Sequence, residues 1–206
     1  MTSINTAYDE SRYIYKCKPV YEFFKSVFDI SFAIALLLIF VPFLMLITIL
    51  IKLSDRGPAF YAQERVGRNG KVFNLLKFRT MRVDSEIEPV WAVQDDPRCT
   101  KIGRLLRRAS IDELPQLINI IKLEMSFVGP RPERPFFMKD HPGLTGLRLS
   151  VKPGLTGLAQ VNGRYNLSIN EKLHYDLEYV HNRRFYLDFI IIVKTVYKVF
   201  ICEGAW

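Results

Sequence analysis

Asp112 and Glu113 are adjacent carboxylates within Gly103-Arg-Leu-Leu-Arg-Arg-Ala-Ser-Ile-Asp-Glu-Leu-Pro-Gln116, just after Arg104, Arg107 and Arg108. An ionised carboxylate among cations can act as a nucleophile or as a metal ligand. Ser110 and Glu113 have the spacing of a capping box, which predicts a helix over Ile111–Lys122 with Asp112 in its first turn. There the helix dipole and the free N–H groups favour an ionised carboxylate, and they also seat phosphate oxygens. The three arginines, at helical spacing, would neutralise further phosphate charge. Simple capping explains the same pattern, with the arginines forming a solvated or lipid-facing stripe.

A second cationic feature is Arg131, set between Pro130 and Pro132 in Met125-Ser-Phe-Val-Gly-Pro-Arg-Pro132. The prolines restrict the backbone on both sides, so the guanidinium would be presented rigidly, as bidentate phosphate binding favours. A stiff surface turn is the plainer reading. Lys77 and Arg79, in Lys77-Phe-Arg-Thr-Met81, add cations at the end of a predicted strand; a basic edge strand that resists aggregation reads equally well.

These groups need elements to hold them. Ala59–Gln63 and Lys71–Phe78, separated by Gly67-Arg-Asn-Gly70, predict a hairpin after a turn at Asp55-Arg-Gly-Pro58. Helices are predicted over Lys101–Arg108 and Ile111–Lys122, with an acidic loop over Asp84–Arg98. Gly129–Gly163, rich in Gly and Pro, reads mostly as loop, and a helix starts at Ser168, whose capping partner is Glu171. The hexapeptide Pro-Gly-Leu-Thr-Gly-Leu occurs at 142–147 and at 153–158, too few copies for a repeat architecture, and reads as two similar turns. Phe185–Phe200 suits either a membrane interface or a core.

Ile30 to Ile51 carries no charge and has about the 20 residues needed to cross a bilayer. Its late start and the lack of a cleavage site argue against a signal peptide. Pro42 lies inside the run, where it removes a backbone hydrogen bond. Basic residues flank both ends, and a single crossing would put one cluster on the outer side, against the positive-inside tendency. A helix that enters, breaks at Pro42 and returns satisfies both observations, with Lys25 and Asp29 at its mouth in the headgroup layer.

The net charge of +8 over 206 residues calls for an anionic partner such as phosphorylated substrate, anionic lipid or nucleic acid, but no nucleic-acid motif is present. Cys17, Cys99 and Cys202 are odd in number and far apart, so they suggest neither a disulfide framework nor a zinc site. His141, His174 and His181 are scattered, which argues against a histidine metal cage.

The chain resembles the bacterial sugar transferases, the small monotopic polyprenyl-phosphate phosphoglycosyl transferases. The likeness runs from about Lys25 to Val199 through Lys25-x-x-x-Asp29, Gly57-Pro-x-Phe-Tyr-x-Gln-Glu-Arg-x-Gly67 and Lys77-Phe-Arg-Thr-Met81. It continues through Asp112-Glu-Leu-Pro-Gln116, Met125–Pro132 and Pro153-Gly-Leu-Thr-Gly-Leu-Ala-Gln-Val-Asn-Gly-Arg164. The resemblance implies transfer of a sugar-1-phosphate from a UDP-sugar to undecaprenyl phosphate, with release of UMP. Asp112 would be the nucleophile that forms a phosphosugar ester, and magnesium would bind near Asp112 and Glu113. Arg107 and Arg131 match family arginines near the phosphates, and Gln160 to Arg164 fall in a motif lining the active site. The family's re-entrant helix breaks at a Ser-Pro pair, where this chain has Val41-Pro42. The resemblance implies a minimal catalytic form without the extra membrane helices of larger relatives.

The expected fold is α+β: a mostly helical small catalytic domain with a short hairpin, interfacial helices and an N-terminal re-entrant membrane helix. It divides into an arm over 1–24, the membrane helix over 25–54 and a cytoplasmic catalytic domain over 55–206. Expected partners are a UDP-sugar, undecaprenyl phosphate, membrane lipids and downstream glycosyltransferases of exopolysaccharide or O-antigen assembly, at the cytoplasmic face of a bacterial inner membrane. A single-pass glycosyltransferase and a basic membrane-tethered scaffold are the competing readings.

Overall fold

The computed structural model describes residue 13 and residues 15–83, 85, 96–163 and 166–201. The expected acidic loop falls largely outside them, as do Arg164 and Cys202. The fold is mixed helix and sheet, as expected, with one long apolar helix.

That helix, α1, spans Pro19–Ser54, so it begins within the expected arm. Pro19 takes the first helical position, where its missing N–H costs nothing. The helix continues through Pro42 and ends at Asp55, whose N–H donates to the Ile51 carbonyl over 3.1 Å. The break expected at Pro42 is not a feature of this structure. A proline deletes one hydrogen bond, and the bonds on either side carry the helix past it. Among the described residues α1 is the one helix long and apolar enough to cross a membrane.

Asp29, Ala33, Ile47 and Ile51 form a buried stripe down one side of α1, spaced so that they share a face. Ala33 enters the main core with Phe73, Leu117, Ile120, Phe127 and Ile191. Ile47 and Ile51 pack with Ala59, Phe78 and Leu106. Both halves of α1 therefore lie against the rest of the chain. The other faces expose Phe23, Leu38, Ile39, Met45 and Leu53.

The hairpin forms as expected, β1 (Phe60–Val66) antiparallel to β2 (Val72–Phe78), with Tyr61 opposite Lys77 and Arg65 opposite Phe73. Helix α2 (Lys101–Arg108) has the predicted bounds, and its N-terminus is capped by Thr100, whose hydroxyl accepts from Gly103 N–H at 2.9 Å. The predicted Ile111–Lys122 helix is split into a 3₁₀ turn, Ile111–Glu113, and α3 (Gln116–Ile121), which restarts after Pro115.

Asn119 on α3 is fully buried and works as a substitute strand along the outer edge of β2. Its Oδ1 accepts from Leu76 N–H at 3.0 Å, and its Nδ2 donates to the Asn74 carbonyl at 2.8 Å. Asn119→Ala leaves both backbone groups unpaired, at about 1–3 kcal/mol for each buried loss. Chemical denaturation in detergent is expected to show a total near 3 kcal/mol; a change under about 0.5 kcal/mol would contradict this account.

The Gly/Pro-rich region is more ordered than the sequence suggests. It contains α4 (Pro135–Asp140), 3₁₀ turns at Pro142–Leu144 and Gly146–Ser150, β4 (Gly154–Thr156) and α5 (Leu158–Asn162). β4 pairs in parallel with β3 (Ser126–Val128), in the register Ser126 to Gly154 and Val128 to Thr156. The two hexapeptide copies fold differently: the first makes 3₁₀ turns, the second a strand leading into α5. The second copy is pressed against backbone, since a Cβ on Gly154 would lie 2.1 Å from the Gly129 nitrogen. On Gly143, in the first copy, the nearest such contact is an ordinary 3.4 Å.

Helix α6 (Ile169–Asn182) starts at Ser168 with the full predicted capping box. Helix α7 (Phe185–Phe200) buries one side and leaves an apolar side exposed. Asp188 and Ile191 are buried, while Phe185, Phe189, Val193, Val196 and Phe200 are exposed. Tyr21 meets Phe185 edge-on at 5.0 Å, so the first turns of α1 and α7 adjoin.

Candidate active site

Ser110 decides how the carboxylate pair is presented. Its φ of 56° is left-handed, its side chain caps nothing, and its N–H donates to the Arg107 carbonyl at 3.0 Å. An N-cap needs an extended backbone, whereas the left-handed residue after a helix satisfies the carbonyls of the helix that is ending. Ser110 thus closes α2 and does not open the next helix. The predicted capping box at Ser110 and Glu113 does not form, and Asp112 sits in a 3₁₀ turn, not in the first turn of an α-helix.

That turn buries Asp112, which is 7% exposed. Burial, with the neighbouring charge of Glu113, holds its carboxyl above the usual range against the pull of Lys77, Arg107 and Arg131. The shift runs opposite to the one a helix terminus would give, although the carboxyl still ionises below neutral pH. Burial also acts on Glu113, but Arg131 and Lys77 outweigh it through charge and hydrogen bonds and hold that carboxyl well below its usual range. Glu113 is therefore the fixed anion of the pair. Asp112 is the more basic member, ionised near neutral pH and poorly solvated, as suits a nucleophile.

The cations come from three separated segments. Lys77, at the end of β2, donates to Glu113 Oε1 at 2.9 Å, and Arg131 Nη2 donates to the same oxygen at 2.6 Å. Arg107 on α2 donates through Nε to the Thr80 hydroxyl at 2.9 Å, while Arg104 and Arg108 are exposed. α2 comes this close because residue 103 is glycine; a Cβ there would lie 1.9 Å from the Thr80 carbonyl oxygen. The predicted Lys77, Arg107, Asp112, Glu113 and Arg131 thus converge on one site.

Other predicted residues lie elsewhere. Arg79 Nη2 donates to the Asp55 carbonyl at 2.5 Å, closing the end of α1 and leaving Lys77 as the strand's contribution to the carboxylates. Gln160 on α5 has both amide atoms buried without a hydrogen-bond partner. Lys25 and Asp29 turn inward: Lys25 Nζ donates to Asp188 Oδ2 at 3.0 Å, and Asp29 is buried. Tyr21 and Tyr179 also donate to Asp188, at 2.6 and 2.8 Å, so this carboxylate ties α1 to α6 and α7. No sequence signal marks Asp188 as that junction.

Among the described residues no group of three or more His, Cys, Asp or Glu side chains could hold a metal ion. Two adjacent carboxylates remain. That donor set fits a hard cation such as magnesium, which takes one or two carboxylates and completes its shell with water and substrate phosphates.

Residues 20–202 match the family model described as bacterial sugar transferase. The chain is 38% identical to the exopolysaccharide production protein ExoY of Rhizobium meliloti (strain 1021), covering 92% of this chain and 91% of that one. It is 41% identical to the UDP-glucose:undecaprenyl-phosphate glucose-1-phosphate transferase of Escherichia coli (strain K12), over 86% of this chain and 40% of that protein. A third relative is the UDP-N-acetylgalactosamine-undecaprenyl-phosphate N-acetylgalactosaminephosphotransferase of Aeromonas hydrophila. It is 35% identical over 91% of this chain and 46% of its own length. The chain thus spans less than half of these last two proteins.

Proposed function

The chain belongs to the bacterial sugar transferase family, and from that membership we propose that it transfers a sugar-1-phosphate from a UDP-sugar to undecaprenyl phosphate. An Asp112 oxygen attacks the β-phosphorus, the bond from that phosphorus to the oxygen bridging it to the α-phosphate breaks, and UMP leaves with that oxygen. A phosphate oxygen of the lipid then attacks the same phosphorus. The bond to Asp112 breaks, regenerating the carboxylate and giving undecaprenyl-diphosphate-sugar. The carrying observation is the buried Asp112 carboxyl beside a Glu113 that gathers Lys77 and Arg131.

Each residue has a share in this. Lys77 and Arg131 offer charge-assisted hydrogen bonds to the diphosphate, and Arg107 adds positive charge from α2. Magnesium, held by Asp112 and Glu113, would supply neutralisation of diphosphate charge. The unpaired amide of Gln160 is suited to donor or lipid contacts, with Arg164 on the same segment. The lipid-linked sugar would feed downstream glycosyltransferases of exopolysaccharide or O-antigen assembly.

Both ends of α1 are proposed to sit on the cytoplasmic side of the membrane. Asp29 and Ile51 lie roughly 33 Å apart along the helix, about the thickness of the hydrocarbon layer. A crossing helix would carry one of them away from a domain held on one side, yet both are buried against that domain. The exposed apolar faces of α1 and α7 would then lie in the near leaflet.

The reaction is tested by screening UDP-sugars for UMP release with undecaprenyl phosphate and magnesium. Release dependent on the lipid supports the reading, and no release across the panel would sink it. Topology is tested on vesicles with an impermeant thiol reagent, comparing the exposed native Cys17 with a cysteine placed at the exposed Lys139. Labelling from the same side is expected; labelling from opposite sides would make α1 a true span.

A further inference from the structure

The Gly129-Pro-Arg-Pro132 segment is held by its carbonyls. Pro130 and Pro132 have no N–H, so a loop of this composition has few donors of its own with which to fix its shape. Four consecutive carbonyls, those of Pro130, Arg131, Pro132 and the following Glu133, instead accept from four different places. Pro130 takes the Gly154 N–H at 3.0 Å, and Glu133 takes the Val66 N–H at 2.9 Å. Pro132 takes Arg65 Nη1 at 2.9 Å, and Arg131 takes Arg148 Nη2.

Two of these donors are guanidiniums, Arg65 and Arg148, and Arg148, in the 3₁₀ turn Gly146–Ser150, is the more deeply buried at 2% exposed. Its Nε donates to Asp176 Oδ2 on α6 at 2.6 Å, and its Nη2 lies 3.5 Å from Glu133 Oε1. Lys172, also on α6, closes on the same Glu133 oxygen. A guanidinium buried this deeply is costly unless its donors are used in fixed geometry. Here two donors reach different acceptors, one on α6 and one on the backbone of the residue whose side chain grips Glu113.

We propose that Arg148 is a positioning residue, which transmits the rigidity of α6 through Asp176 to the Arg131 backbone and so aims the Arg131 guanidinium at the Glu113 carboxylate and the donor diphosphate. The inference rests on the reading of Arg131 as a diphosphate ligand. Rigid backbone on both sides of Arg131 sets its direction only if the loop as a whole is anchored, and the Arg148 contact is the anchor at residue 131 itself. Misplacement of a binding group by about 1 Å can cost around 10²-fold in rate. Lysine at 148 keeps the charge but cannot span both acceptors with a planar fork.

The test is a double-mutant cycle on the full chain in lipid nanodiscs, measuring UMP release with the UDP-sugar that wild type uses. Arg148→Lys is expected to lower kcat by about 10–100-fold, with KM for the UDP-sugar moving less than about 3-fold. In an Arg131→Met background, itself about 10²–10³-fold down, the further loss from Arg148→Lys is expected to be under about 3-fold, because little remains for Arg148 to aim. A merely structural residue would cost the same factor in both backgrounds, and that additive result overturns the positioning role alone. Full UMP release by Arg131→Met would instead overturn the diphosphate role of Arg131, and the inference with it. Should Arg148→Lys fail to fold, Asp176→Asn leaves the guanidinium in place but removes its charged partner. Its kcat loss is expected to vanish in the same Arg131→Met background, and persistence of that loss overturns the proposal.

Discussion

Asp112→Asn is expected to abolish UMP release, by at least about 10⁴-fold, while leaving the chain folded. Removing a covalent nucleophile typically costs 10⁴- to 10⁶-fold, because the remaining groups can bind and polarise the donor but cannot form the ester. Incubating wild type with UDP-sugar labelled in the β-phosphate, without lipid acceptor, should leave label on the protein. Asp112→Asn should retain none. Label retained by the variant, or UMP release within 10-fold of wild type, would remove Asp112 from the nucleophile role.

The fold should not suffer from that change, and pH shows why. The Asp112 carboxyl is raised above its unfolded value mainly by burial. Between the two values the folded state binds more protons than the unfolded state, so the contribution of this group to stability falls as pH rises. At neutral pH the ionised carboxylate is a cost that neutral asparagine does not carry. In magnesium-free protein, the Tm of Asp112→Asn at neutral pH is therefore expected to equal or exceed that of wild type. The difference should close towards pH 4, near the ordinary aspartate pKa of about 3.9. A variant several degrees less stable than wild type at pH 7 would contradict the burial argument.

Glu113→Gln should have the next largest effect, with an unusual kinetic pattern. Glu113 Oε1 is the common acceptor for Lys77 and Arg131, so losing its charge frees two cations that had been fixed on one point. At saturating magnesium, where weaker metal binding is not limiting, the same loss removes a negative charge beside the incoming diphosphate. KM for the UDP-sugar is therefore expected to stay level or fall. kcat is expected to drop by about 10²–10³-fold, because the donors are no longer preorganised around the reacting phosphate. Glu113→Asp keeps the charge with a shorter reach and should recover part of the loss. A raised KM with an unchanged kcat would mean that Glu113 serves ground-state binding, and the preorganisation account would fall.

Much of the scaffold was legible in the sequence because its signals are local. A glycine-bearing turn between apolar-rich runs specifies the β1–β2 hairpin, and an N-cap with its partner three residues on specifies α6. Unbroken apolarity specifies α1. Each of these depends on groups a few residues apart, whose preference survives any tertiary arrangement. The cluster that the structure gathers was legible for another reason: Lys77, Asp112, Glu113 and Arg131 stand in motifs whose order carries the family resemblance, and Arg107 is singled out as matching a family arginine.

What the local signals missed depended on distant partners. Ser110 and Glu113 have the spacing of a capping box, but α2 ends at that serine and its carbonyls claim the left-handed conformation. Ser168 has no helix ending at it, and its box forms. The β3–β4 pairing is too short to leave a periodic trace, and its register depends on two glycine backbones meeting. Arg79 looks like a second phosphate ligand beside Lys77 until the end of α1 supplies its acceptor. Arg148 stands in no motif and gains its meaning only when α6 brings Asp176 to one side of it and the Arg131 carbonyl lies on the other. The Asp112–Glu113 pair combines both kinds of information. Sequence alone determined which carboxylates face cations; tertiary burial decided that Glu113 takes the cations and that Asp112, desolvated beside it, is the more basic of the two.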